Sequence, residues 1–280
     1  HDLPEHLCFD EFKSVKSSDS NMSFIICDST THKLVDVVRD RKSYSLKNYF
    51  HRFEPKTRLK VKTISIDMYL PYIQLIKEMF PNAKIIIDPF HIVQALNREL
   101  NRTRVRVMNK HRYKDPKLYR KLKHYWKLIL KNPNELQNYK YNRYKLFESF
   151  ITSKGIVDYI LENNPSLKND YEVVHSLREC IQDRDYIEFK ETIEAATQLD
   201  LSPGLKRVLK TLITYLPYIQ NTCEHPTRTN GPIEGINNKI KVLKRNAYGF
   251  RNYYHFRNRI ILITKMFGPK QKGIKQQLVA

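Results

Sequence analysis

Between Arg228 and Ala280 the chain holds 12 Lys and Arg but a single acidic residue, Glu234. It sits near the start of 230–250, NGPIEGINNKIKVLKRNAYGF, where Gly231 and Pro232 suit a loop turning into a helix. Ile233, Ile236, Ile240 and Leu243 recur at offsets of three and four and form one apolar stripe. Glu234, Asn238, Lys241 and Arg245 form another face, with the carboxylate at its head. Such a carboxylate complements the positive end of the helix dipole. It would also supply one ligand of a metal-dependent phosphoryl-transfer site, which needs two or three carboxylates converging from different elements. The upstream candidates are Asp10, Asp67 and Asp88.

Those residues need a sheet to position them. Segments 7–15, 24–27 and 34–38 read as three short strands of an antiparallel meander, with a turn over 17–21. A helix over 44–53 follows, then a strand over 61–66, a helix over 70–80 and a fifth strand over 84–87. Short strand–helix–strand connections imply that the last strands are parallel, in a mixed α/β sheet with helices on its faces. Asp67 and Asp88 then stand at the C-terminal ends of parallel strands, where open α/β sheets bind ligands. Asp10 lies inside the first strand, where a charge is costly unless paired or metal-bound. Helix N-capping is an alternative for Asp67 and for Asp88, which precedes Pro89.

After His91 the pattern is helical, over 92–109, 116–131, 134–150, 154–162, 166–182, 185–199 and 203–219, punctuated by Asn-Pro and Ser-Pro-Gly steps. The domain reading is therefore 1–97 as a first core segment, 98–227 as an all-helical insertion, and 228–280 as the returning core helices.

The net charge is +21, and two segments carry all of it. Segment 98–131 has 13 Lys and Arg against Glu99 and Asp115, and 228–280 has 12 against Glu234. Each sums to +11, so the remainder is near neutral and the excess is placed as a polyanion-binding surface requires. Arg120, Lys123, Lys127, Lys241, Lys244 and Arg245 are the candidate phosphate contacts, and the two segments are expected to flank one DNA channel. Trp126 either stacks on an unpaired base or joins Leu122 and Ile129 in the core, and its spacing favours the core. Segment 158–200, with 11 acids against 4 bases, reads as a solvated or partner-facing surface away from nucleic acid. The four cysteines have no metal-ligand spacing and read as reduced residues of an intracellular protein. No apolar run reaches the roughly 18 residues of a membrane span.

Segments 65–100 and 231–262 resemble the catalytic region of bacterial insertion-sequence transposases of the ISL-three type. The resemblance rests on Asp-Met before an apolar helix, Pro-Asn-Ala, Asp-x-Phe-His, Gly-x-x-Glu-Gly-x-Asn-x-x-Ile-Lys and Tyr-Gly-Phe as a set. It implies a ribonuclease-H-like core, a mixed five-stranded sheet flanked by helices and interrupted by a helical insertion. It also implies a catalytic and metal-binding triad of Asp10, Asp67 and Glu234, with two Mg²⁺ or Mn²⁺ ions, and auxiliary places for Asp88 and His91. His91 otherwise reads as a helix-face histidine. The implied activity is metal-dependent strand cleavage and strand transfer on DNA, transposon ends and target, in the bacterial cytoplasm at the nucleoid. The enzyme is expected to assemble as a homo-oligomer on DNA, with no membrane partner. The N-terminal recognition modules of such proteins are expected to lie outside this stretch. Competing readings are a ribonuclease-H-like nuclease or resolvase without strand transfer, and a catalytically idle DNA-binding protein.

Overall fold

In a computed structural model that describes residues 2–15 and 21–266, β1 (His6–Lys13) is the middle of a five-stranded sheet. The other strands are β2 (Met22–Asp28), β3 (Leu34–Val38), β4 (Thr63–Ile66) and β5 (Lys84–Ile87), in the order β3-β2-β1-β4-β5. β1–β2 and β2–β3 pair antiparallel, whereas β1–β4 and β4–β5 pair parallel. Leu7, Cys8 and Phe9 are all buried, as befits a central strand covered on both faces. On one face Phe9 meets Phe24, Phe50 and Phe80 in an aromatic cluster beneath α1 (Ser43–Phe50) and α3 (Leu70–Met79). Between these helices lies α2 (Pro55–Leu59), a short helix opened by proline that sequence periodicity does not show because it spans barely one turn. The turn expected over 17–21 lies, apart from Asn21, outside the described residues.

The chain divides into two units, His1–Asp88 with His225–Ala280, and Pro89–Glu224. The first boundary falls at Asp88 rather than at 97 because α4 (Pro89–Lys110) is one unbroken helix. In this second unit α5 (Pro116–His124), α6 (Trp126–Leu130), α7 (Ser153–Glu162), α8 (Pro165–Asp183), α9 (Tyr186–Ala196) and α10 (Pro203–Glu224) follow. Asp115, Thr152 and Asp185 cap α5, α7 and α9 by accepting backbone N–H bonds.

Two helical expectations fail here. The helix read over 116–131 breaks at Tyr125, which leaves Trp126 40% exposed at the head of α6 instead of in the core. The helix read over 134–150 is a short 3-10 turn (Pro133–Glu135) followed by irregular chain with an isolated bridge, Asn142 to Ile151. Tyr141, Tyr144, Phe147 and Phe150 are spaced by three throughout, a period that drifts around an α-helix and buries no stripe. Leu146 takes a left-handed φ of 72°.

In the first unit, α11 (Gly231–Asn246) and α12 (Tyr253–Met266) cover the face of the sheet opposite the aromatic cluster. Ile233, Ile236 and Ile240 of α11 and Tyr253, Phe256 and Ile260 of α12 pack on Cys8, Phe12, Ile25, Cys27 and Val37. The side chains of Cys8, Asp10 and Phe12 share that face, since alternate residues of a strand point the same way.

His175 is a buried titratable group in the helical unit. Its Nε2–H donates to the Ile129 carbonyl (3.0 Å), and its Nδ1 accepts from Arg178 (3.2 Å). Burial pushes its pKa down from 6.5 to about 4. A histidine neutral in the fold but protonated when unfolded costs stability as pH falls below about 6.5, until the folded form also takes up its proton near 4. Urea unfolding of the full chain between pH 7 and 4.5 should therefore show a loss of up to about 3 kcal/mol from this site. His175→Gln should flatten that slope, and an unchanged slope would place the acid sensitivity elsewhere.

Candidate active site

The parallel pairings set the carboxylates in a row. Cys8 pairs with Ser65, and Ser65 with Ile86. Two residues further along each chain come Asp10, Asp67 and Asp88, so the same register brings Asp10, inside β1, level with Asp67 and Asp88 just past the C-terminal ends of β4 and β5, on strands about 4.8 Å apart. The Asp88 N–H donates to the Ile66 carbonyl (2.9 Å), carrying the β4–β5 ladder to that level. The ligand atoms of Asp67, Asp88 and His91 lie within 4.8 Å of one another. Asp88 and His91 are three residues apart on one continuous stretch, so the turn into α4 accounts for their approach. Asp88 is 7% exposed, whereas Asp67 and His91 are half-buried. Asp10 and Glu234 stand outside this tight group.

α11 is locked to the same row by two amides. Asn230, at its N-cap, donates from Nδ2 to the Phe9 carbonyl and to Asp67 Oδ1, both at 3.2 Å. Asn237 donates from Nδ2 to Asp10 Oδ2 at 2.7 Å. Glu234 lies one turn from each, on the helix face they share, and its side chain is exposed. Asn238, read from the sequence as part of this face, is exposed, and it is Asn237 that meets the sheet. Neither Asn230 nor Asn237 stands out by charge or periodicity. Asn237 is visible only as the asparagine of the Gly-x-x-Glu-Gly-x-Asn run. Cys8 adds a tie, its thiol donating to the Thr229 carbonyl (3.3 Å), and burial pushes that thiol up to about 11.

The donor set fits a hard divalent cation. Carboxylates accept only, so each amide must turn its NH₂ toward Asp67 or Asp10. That leaves Asn230 Oδ1 and Asn237 Oδ1 buried and without a hydrogen-bond partner beside the carboxylates. Oxygen ligands of this kind suit Mg²⁺ or Mn²⁺, and the His91 imidazole is better matched to Mn²⁺ than to Mg²⁺.

Next to Asn237, a pocket of about 680 Å³ is lined by Lys13, Lys241, Lys244 and Arg245 with Glu11, Met22 and Ile240. Lys241 and Arg245 are exposed. Lys244 is partly buried beside the same pocket. Its ammonium donates to the carbonyls of Lys13 (2.9 Å) and Ser14 (3.0 Å), and burial followed by the neighbouring Lys13 lowers its pKa. It ties α11 to the end of β1. Arg120, Lys123 and Lys127 are exposed on the helical unit, with the Lys127 ammonium over the Trp126 ring (5.7 Å).

Three antiparallel strands, two further strands parallel to the first, and carboxylates inside β1 and at the end of β4 with helices on both faces define a ribonuclease-H-like core. A family model described as "Transposase", that of the ISL-three-type DDE enzymes, matches residues 7–260. The chain belongs to that family. It is similar to a transposase for insertion sequence element IS1001 from Bordetella parapertussis, 28% identical over 257 residues, covering 90% of this chain and 59% of that protein. It is also similar to a protein named ATP-dependent protease from Lactococcus lactis subsp. lactis, 36% identical over 130 residues, 46% of this chain and 40% of that protein. The chain thus spans less than two thirds of either relative. It contains no Gly-x-x-x-x-Gly-Lys-Ser/Thr run of the kind that cradles nucleotide phosphates. No solved structure matches it.

Asn237→Leu keeps the side-chain volume and removes the donor to Asp10. It should lower stability in urea by about 1.5–3 kcal/mol, the range for a hydrogen bond to a charged group. A change below about 0.5 kcal/mol would mean that water replaces the amide and that α11 is not held by this bond.

Proposed function

We propose that this chain carries the catalytic part of a transposase that cuts DNA at insertion-sequence ends and joins the freed end to target DNA. The reading is supported most by the level row of Asp10, Asp67 and Asp88, with α11 bound to it through the amides on either side of Glu234. Asp10, Asp67 and Glu234 would hold two Mg²⁺ or Mn²⁺ ions, and Asp88 and His91 support Asp67 in an auxiliary role. Bound divalent ions supply Lewis-acid activation of the attacking oxygen and stabilisation of the leaving one in an in-line displacement at phosphorus.

The chain's own residues do the rest by position. Asn237 fixes the carboxylate plane of Asp10, and Asn230 fixes that of Asp67 against the start of the glutamate's helix. Lys241 and Arg245 hold phosphates along the adjoining pocket, and Arg120, Lys123 and Lys127 add backbone contacts that position DNA without reading bases. With water as nucleophile, a bond forms to phosphorus as the 3′-oxygen leaves, which frees a 3′-hydroxyl. That hydroxyl then attacks a target phosphate in the same kind of displacement. Copies of the chain assembling on paired DNA ends, in the bacterial cytoplasm at the nucleoid, complete the reading. Among the described residues no helix is long and apolar enough to cross a membrane.

Asp10→Asn keeps an oxygen to accept from Asn237 but removes the charge. Metal-dependent cleavage of an end-bearing duplex should fall by about a thousandfold or more, the worth of several kcal/mol of transition-state stabilisation. DNA affinity should stay level or rise, because a negative charge beside the phosphate is gone. Cleavage that persists in this variant would show that the ions are held without Asp10. Cleavage without joining of a pre-cleaved end by the unaltered chain would favour a nuclease.

A further inference from the structure

The irregular stretch 136–152 of the helical unit is long for a structureless connection inside a folded domain, and such stretches usually carry function. It is held in place at several points. The Gln137 N–H donates to Ser153 Oγ (2.8 Å), and the Lys154 N–H to the Gln137 carbonyl (3.1 Å). Asn142 and Ile151 exchange both backbone bonds, at 3.0 and 3.1 Å. Further on, the Tyr125 hydroxyl donates to the Lys145 carbonyl, and the Lys121 ammonium sits over both Phe147 (4.3 Å) and Tyr159 (4.0 Å).

These ties bury little of what the stretch displays. Tyr139 is 79% exposed and Tyr141 65%. Lys140, Arg143 and Lys145 are exposed as well, and none of them has a carboxylate within ion-pair reach among the described residues. The far limb of the stretch borders α5, which has four cationic residues from Lys117 to Lys123 and no acid, and with it lines a pocket of about 460 Å³ where Lys117, Arg120, Lys121 and Phe147 outnumber one carboxylate, Glu148. Exposed aromatic rings on a tied backbone, interleaved with cations that have no carboxylate partner, match the chemistry of unpaired nucleotides, whose bases offer apolar faces and whose phosphates offer charge. A duplex offers its phosphates but keeps its base faces stacked inside.

We propose that the 137–145 stretch binds an unpaired DNA strand, with bases stacked on Tyr139 and Tyr141 and phosphates held by Lys140, Arg143 and Lys145. This rests on the reading of the chain as a DNA-handling enzyme and adds which form of DNA the helical unit takes. The binding requires no metal.

The test uses the full chain in EDTA and fluorescence anisotropy with two labelled probes, dodecathymidylate and a blunt 12-base-pair duplex. Tyr139→Ala with Tyr141→Ala should weaken dodecathymidylate binding by about tenfold or more, the usual cost of losing stacked bases. The same double variant should leave duplex binding within about twofold and the salt slope unchanged, because stacking releases no counterions. Tyr139→Phe with Tyr141→Phe should restore strand binding. Wild-type affinity of the double alanine variant for dodecathymidylate would overturn the proposal, and so would an equal loss on strand and duplex. Metal-dependent cleavage by the unaltered chain is measured separately. Its absence, together with the tyrosine effect, would remove the transposase reading and leave the strand site standing.

Discussion

A carboxylate in the middle strand of a buried sheet has to be met by donors, and Asp10 is met from α11. The Glu11 N–H (2.6 Å) and the Asn237 amide (2.7 Å) both point at it. Because Asn237 lies on the helix that carries Glu234, satisfying Asp10 also fixes where the distant glutamate sits. The apolar stripe of α11 supplies the larger driving force, since Ile233, Ile236 and Ile240 are all buried on the sheet. A greasy stripe alone would tolerate a slide or a rotation. Asn230 at one end, Asn237 in the middle and Lys244 on the Lys13 and Ser14 carbonyls pin a single register. The energetic and functional demands therefore coincide on one helix face.

The row of aspartates depends equally on parallel pairing. Strands β1, β4 and β5 run the same way, so their C-terminal ends gather at one edge and residues in register arrive together. The antiparallel strands β2 and β3 contribute no carboxylate to that edge and extend the apolar platform that receives α12. Asp36 of β3 serves the platform, accepting from Tyr49 (3.0 Å) and pairing with Arg257 of α12.

Much of this was legible in the sequence, because the strands are short, apolar and bounded by turn residues, and because Asp67 and Asp88 close two of them. The register was not, since which residue of β1 faces which residue of β4 is a nonlocal fact. Glu234 was visible through its isolation among cations, whereas Asn230 and Asn237 carry no charge and break no pattern. Charge likewise does not reveal that Lys244 donates to the Lys13 and Ser14 carbonyls, because that tie is also nonlocal. In the helical unit the apolar periods locate most helices, whereas the aromatic residues spaced by three over 134–150 belong to irregular chain, since that spacing builds no single helix face. The break at Tyr125 likewise put Trp126 at the surface, where a continuous helix would have buried it.

Two arrangements of metal ligands can be told apart directly. One uses Asp10, Asp67 and Glu234, with α11 supplying the last carboxylate. The other uses the tight group Asp67, Asp88 and His91, with α11 as a lid of no chemical consequence. A crystal of the chain soaked in Mn²⁺, measured at the manganese absorption edge, distinguishes them. Ligation by Asp10, Asp67 and Glu234 gives anomalous density between Asp10 and Asp67, with the Glu234 side chain turned in as a ligand, and this is the expected result. Density confined to Asp67, Asp88 and His91, with Glu234 still pointing to solvent, would contradict it.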